Sequence, residues 1–173
     1  MKKILIVVDM QNDFIYGALG TKEAVGIVDK VADKMRAFSK EDIFVTLDTH
    51  GADYADTLEG KLLPVPHCIK GTKGWELAPA VAEAAHGARV FEKPGFGSTE
   101  LTNTMKELWQ KEEFEIELIG LCTDICVVTN ALMIRGALPN AVMRVDASCC
   151  AGVTPEKHEA ALETLRSCQI EVV

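Results

Sequence analysis

Six short apolar runs, set apart by stretches of helical periodicity, constrain this chain more than any other feature. The first, Ile4-Leu5-Ile6-Val7-Val8, is continuous and rich in β-branched residues, and Asp9 follows it directly. A run without alternation reads as a central strand buried on both faces. The others are Ile43–Leu47, Arg89–Phe91, Phe114–Ile119, Ala141–Val145 and Ile170–Val173. Between them, Glu23 to Phe38 carries Val25, Val28, Val31, Ala32 and Met35 at helical spacing. Ser98 or Thr99 can cap a helix reaching Gln110, and Thr154-Pro155 supplies an N-cap followed by proline at the first helical position. Cys126 to Leu138 is apolar nearly all round, as a helix pressed on a sheet would be. Such alternation predicts an α/β fold, a parallel sheet covered by helices.

The 173 residues show no repeat, linker or charge block, so one domain over 1–173 is expected. A domain of that size buries roughly 70% of its unfolded surface and needs no disulfide or structural metal. The net charge of -8 argues against a nucleic-acid or anionic-membrane binder, which needs a basic stripe. No apolar run approaches the roughly 18 residues of a membrane span, and the opening apolar stretch is too short for a signal peptide. The expected location is the cytoplasm. There the six cysteines, which lack C-x-x-C spacing, are expected as free thiols, one of them catalytic. The adjacent pair Cys149-Cys150 reads as packing residues after a strand end at Asp146-Ala147-Ser148.

In an open parallel sheet, ligands gather outside the carboxyl ends of the strands. Asp9 follows the first run, Asp48 and His50 the second, Lys93 the third and the Cys122–Cys126 segment the fourth. From His50 to Trp75 periodicity disappears and glycine and proline accumulate, which reads as a functional loop. Cys126 opens the apolar helix, with Thr123 or Asp124 placed to cap it. A thiol there feels the positive end of the helix dipole, and a nearby Lys93 would lower its pKa further. Asp9 could take the thiol proton and return it to a leaving amine. Asp48-x-His50 with His67 on the following loop offers oxygen and nitrogen ligands suited to zinc, manganese or iron. His86 and His158 fall in helical stretches and read as surface residues.

Five words occur in order: Asp9-Met10-Gln11-Asn12-Asp13-Phe14, Thr46-Leu47-Asp48-Thr49-His50, Pro66-His67-Cys68-Ile69-Lys70-Gly71-Thr72, Lys93-Pro94-Gly95-Phe96 and Gly120-Leu121-Cys122-Thr123-Asp124-Ile125-Cys126-Val127. Together they resemble the isochorismatase-like cysteine hydrolases, and among them the nicotinamidase/pyrazinamidase branch. The resemblance implies a Rossmann-like three-layer α/β/α sandwich with a six-stranded parallel sheet and an Asp9, Lys93, Cys126 triad. It also implies a non-proline cis peptide at Leu121–Cys122 and an oxyanion hole formed by the backbone N–H groups of Cys122 and Cys126. In that branch the Asp48, His50 and His67 positions bind a divalent ion, zinc being expected here. Glu59 stands about where a further ligand belongs, with Asp53 or Asp56 as alternatives. Phe14 and Phe96 would wall a flat pocket.

The activity so implied is cysteine-dependent hydrolysis of a small-molecule amide, nicotinamide to nicotinate and ammonia, by a self-associating enzyme. Two stretches depart from the branch pattern. Leu62-Leu63-Pro64-Val65-Pro66 precedes His67 where an aromatic is usual, and Ile15-Tyr16-Gly17-Ala18-Leu19-Gly20 replaces a Pro-Gly-Gly-type turn. Another small amide or N-carbamoyl compound therefore stays open as substrate. A non-catalytic binding protein on the same fold would not need all three triad positions filled with competent residues, as they are here.

Overall fold

The computed structural model describes residues 1–173. Six strands, β1 (Lys2–Val8), β2 (Ile43–Asp48), β3 (Arg89–Lys93), β4 (Phe114–Leu121), β5 (Met143–Ala151) and β6 (Glu171–Val172), form one sheet in the order β3-β2-β1-β4-β5-β6. Every pairing is parallel. The α-helices are α1 (Asn12–Ile15), α2 (Lys22–Arg36), α3 (Leu58–Leu62), α4 (Pro79–Ala84), α5 (Thr99–Trp109), α6 (Val128–Ala137) and α7 (Pro155–Ser167). None is long and apolar enough to cross a membrane.

Successive side chains of a strand point to opposite faces, and β1 shows the result. Ile4, Ile6 and Val8 join one apolar cluster with Leu101 and Met105 of α5, Ile134 of α6 and Leu165 of α7. Leu5 and Val7 join the other, with Val28, Val31 and Met35 of α2 and Val81 of α4. Each fully buried side chain of this kind contributes roughly 1.5–3 kcal/mol. That two-sided burial is why β1 has no polar alternation, and it produces the three-layer sandwich.

Three of the longer helices, α2, α5 and α7, begin on hydroxyl caps. Thr21 Oγ1 accepts from Ala24 N–H, Ser98 Oγ from Leu101 N–H and Thr154 Oγ1 from Lys157 N–H, at 3.0, 3.1 and 3.3 Å. The strand order reverses between β1 and β4, the point at which such sheets open a crevice. At that point Gly120 adopts φ +117, and a Cβ there would lie 2.2 Å from the Val8 carbonyl oxygen. Only glycine permits this approach of β4 to β1.

The structure revises several local readings. The strand begun at Ala141 in the sequence reading starts at Met143 and continues to Ala151, so Cys149 and Cys150 lie inside β5, buried and unpaired. A register shift against β4 between Leu118 and Gly120 carries the strand past Ser148. The long loop after His50 contains a 3-10 turn, Tyr54–Asp56, and the short α3, which starts on Thr57, its Oγ1 accepting from Gly60 N–H at 3.0 Å. Five residues are too few to display periodicity. The segment before α6 is a π-helical turn, Thr123–Val127, and neither Thr123 nor Asp124 caps it.

Candidate active site

The carboxyl ends of β1, β2 and β3 bring three charged side chains out of water together. Asp9 follows β1 with φ 48, a left-handed conformation that aspartate tolerates better than most residues. Its Oδ1 accepts from Thr46 Oγ1 at 2.6 Å, and its Oδ2 lies 2.6 Å from Lys93 Nζ. That contact is an ion pair without an aligned hydrogen bond, so Oδ2 keeps acceptor capacity. Lys93, the last residue of β3, also donates to the Gly95 carbonyl at 3.0 Å and stands 3.3 Å from both Asp48 Oδ1 and Cys126 Sγ. The side chains of Asp9 and Lys93 are wholly buried.

Burial changes the proton balance expected from sequence. It pushes the Cys126 thiol well above its ordinary value, and Asp9 adds to that against the pull of Lys93. Burial and Asp9 thus work against the thiolate that the lysine favours. Asp9 is itself raised, by burial first, against Lys93. Burial works against the charge on Lys93, but Asp9, Cys126 and Asp48 outweigh it and hold the ammonium firmly protonated. Cys122, at the Leu121–Cys122 cis peptide, is pushed up to about 12 by burial.

Asp48 joins this group to a second one. Its Oδ2 lies 3.0 Å from His50 Nε2 and 3.4 Å from His67 Nε2. Glu59 reaches the same two nitrogens at 3.8 and 3.6 Å, from the first turn of α3. Asp53 and Asp56 are exposed instead. His67 Nδ1 bonds the Val65 carbonyl at 2.8 Å, which assigns the proton to Nδ1 and leaves the Nε2 lone pair facing carboxylate oxygens. Burial lowers the pKa of His67, but Asp48, the Val65 carbonyl and Glu59 outweigh it and raise it. Asp48 is held below the ordinary carboxylate range despite burial, chiefly by His50 and His67. Acceptors crowded on acceptors call for a cation between them, and one ligand atom each from Asp48, His50 and His67 lies within 4.8 Å of the others.

A cavity of about 200 Å³ opens over the thiol, lined in part by Phe14, Asp48, Glu59, His67, Phe96 and Cys126. Phe14 is nearly buried, with its ring centroid 5.5 Å from that of His67. Phe96 is half exposed at the cavity edge. His86 is exposed, whereas His158 is half-buried and pairs through Nδ1 with Thr123 Oγ1 at 2.8 Å.

The sequence reading missed the residues that hold these groups in place. Gln11, fully buried, exchanges two 2.8 Å hydrogen bonds with the Asp48 backbone, its Nε2 donating to the carbonyl and its Oε1 accepting from the N–H. Asp13 Oδ2 accepts from Cys68 N–H at 2.8 Å, directly after His67. Asn130 Nδ2 donates to the Cys126 and Phe96 carbonyls at 2.7 and 3.1 Å, while its Oδ1 accepts from Ser98 N–H at 2.9 Å. The available signal was a lone asparagine, four residues after Cys126, in an otherwise apolar helix.

The Isochorismatase domain family matches residues 3–173. A nicotinamidase/pyrazinamidase of Mycobacterium tuberculosis is 29% identical over 185 residues, covering 99% of this chain and 98% of that one. The crystal structure of a nicotinamidase/pyrazinamidase from Bacillus subtilis superposes with a TM-score of 0.85 at 31% identity over the whole of both chains. That of a pyrazinamidase from Pyrococcus horikoshii in complex with zinc has a TM-score of 0.82 at 28% identity, covering 100% of this chain and 99% of that one.

Proposed function

From the premise that this chain belongs to the isochorismatase family, we propose that it is a cysteine-dependent amidohydrolase converting nicotinamide and water to nicotinate and ammonia. The observation that carries the reading is Lys93 Nζ set between the Asp9 carboxylate and the Cys126 sulfur, buried below a cavity large enough for a small amide. The similarity to two nicotinamidase/pyrazinamidases over nearly the whole chain supports the substrate.

In this mechanism the Asp9 carboxylate takes the thiol proton as Cys126 Sγ attacks the carboxamide carbon. No free thiolate is needed beforehand, which suits a thiol whose pKa is raised. Lys93 keeps its proton throughout and holds the carboxylate and sulfur at contact distance. The backbone N–H groups of Cys122 and Cys126 stabilise the oxyanion, where one such donor is worth roughly 3 kcal/mol. As the tetrahedral intermediate collapses, the C–N bond breaks and Asp9 gives the proton to the departing ammonia. Water then attacks the thioester with Asp9 as base, releasing nicotinate and restoring the thiol.

Asp48, His50, His67 and Glu59 would hold a divalent ion, zinc by analogy with the Pyrococcus horikoshii complex. Bound there, such an ion supplies a Lewis-acidic position for the pyridine nitrogen, directly or through water. Phe14 and Phe96 flank the ring, and that orientation carries much of the rate.

Ammonia release from nicotinamide by the purified protein, beside a Cys126→Ala control and a chelator-treated sample, tests the reading. Release that vanishes in the control is expected. No release from metal-loaded protein with an alkylatable Cys126 would remove nicotinamide as the substrate.

A further inference from the structure

A second cavity, of about 280 Å³, adjoins the one above Cys126. Phe14, Leu19, Leu63, Cys122 and Ile125 line both, so these five residues form the partition between them. Beyond that wall the lining is again apolar, with Ala24 of α2, Leu121 of β4 and Val153 before α7. Its one hydroxyl, on Thr21, already accepts from Ala24 N–H, and its one charged residue is Lys157. No carboxylate lines it.

A small planar amide would fill only the first chamber. The second offers a sugar or peptide only the Thr21 hydroxyl proton and the Lys157 ammonium, and a cationic tail would meet Lys157. Its walls suit an aliphatic chain, and Leu63, partly exposed at the partition, can turn aside to admit one. The stretch Leu62-Leu63-Pro64-Val65-Pro66 agrees with this, placing aliphatic side chains at the mouth where a ring platform would be aromatic.

Resting on the amidase reading, we propose that the preferred substrates are primary amides whose acyl group carries an apolar extension from the first chamber into the second, ending in a neutral or anionic group. The chemistry is the same hydrolysis: the C–N bond is exchanged for C–O, water supplies the oxygen, and ammonia leaves. Selectivity comes from the tail. Each methylene moved into an apolar chamber is worth roughly fourfold in kcat/KM.

The test is a series of linear primary amides from butanamide to octanamide, with nicotinamide as reference, on the metal-loaded enzyme. Expected is a rise of kcat/KM with length, by roughly 50-fold over three methylenes, before a plateau. Val153→Trp should plug the second chamber from its partly exposed edge, and Ala24→Val narrows it from α2. Both variants are checked against the parent by thermal melting. Both should lower octanamide turnover about tenfold or more while nicotinamide turnover stays within about twofold. Hydrolysis of nicotinamide with no dependence on chain length, or equal losses on both substrates in variants that melt like the parent, would overturn the second chamber alone. Failure to hydrolyse any amide would remove the amidase reading itself.

Discussion

Lys93 lies between Asp9 and Asp48 at the carboxyl ends of the strands, while Lys34 of α2 lies between Glu117 of β4 and Asp146 of β5 in the body of the sheet. Both are one lysine held by two carboxylates under a helix-covered sheet. In the Lys34 group the charges on Lys34 and Asp146 are both favoured. Burial opposes ionisation at Lys34 and Asp146, yet hydrogen bonds win, raising the lysine and lowering the aspartate. Asp146 Oδ1 accepts in addition from Ser148 N–H and Oγ at 2.9 and 2.7 Å. In the Lys93 group burial wins at two members, so Asp9 and Cys126 are both raised and stand next to a cavity. A buried ion pair is therefore not the mark of a reactive site. The mark is a lysine in contact with both a carboxylate and a thiol beside space for a substrate.

Cysteine substitutions should separate the two regions most sharply. Cys126→Ala is expected to lower amide hydrolysis by about 10⁴-fold or more, because the proposed nucleophile is gone. Cys150→Ala, in the same apolar cluster, should leave kcat within about threefold. Steady-state kinetics on the pair checks this, and comparable losses at both would dissolve the contrast.

Replacing each lysine by methionine comes next. Lys93→Met should cost about 10³-fold in kcat/KM, since Asp9 and Asp48 lose the charge between them. Lys34→Met should leave kcat nearly unchanged and cost about 1–2 kcal/mol of stability in urea unfolding, its head being partly solvated. At the proposed metal site, His67→Ala is expected to weaken metal retention by about 100-fold in competitive chelation. His158→Ala, at a histidine bonded only to Thr123 Oγ1, should not change it.

The smallest effect tests linkage. Asp146 has a lowered folded pKa, so its stabilisation is present above the ordinary value of 3.8 and is lost as pH falls through the still lower folded value. Asp146→Asn should therefore flatten the acid limb of the stability curve below about pH 4 and remove roughly 1 kcal/mol near neutrality. An unchanged acid limb would show that the Lys34 group contributes nothing to folding.

Much of this was legible in the chain because two-sided burial writes itself as unbroken apolar runs, and because strand ends are where open parallel sheets place ligands. Asp9, Asp48, Lys93 and Cys126 were readable for that reason. What escaped depends on cross-chain geometry. Gln11 holds the Asp48 backbone across 37 positions of sequence, and nothing local to either residue reports it. Thr123 and Asp124 resemble helix caps, yet tertiary partners claim them, Asp124 Oδ1 accepting from Val153 N–H at 2.9 Å. Nothing around Glu117 in the sequence reports its partner, Lys34, 83 residues away. The raised thiol escaped for a related reason, since the depth of burial that raises it is set by residues far apart in the chain.

The most direct test of the account is to mix enzyme with nicotinamide, quench in acid before one turnover is complete, and locate any acyl group by peptide mass. A nicotinoyl group on the peptide containing Cys126, absent from Cys126→Ala, is the predicted result. Nicotinate formed with no acyl group on Cys126 at any quench time, or with the group on another cysteine, would contradict it.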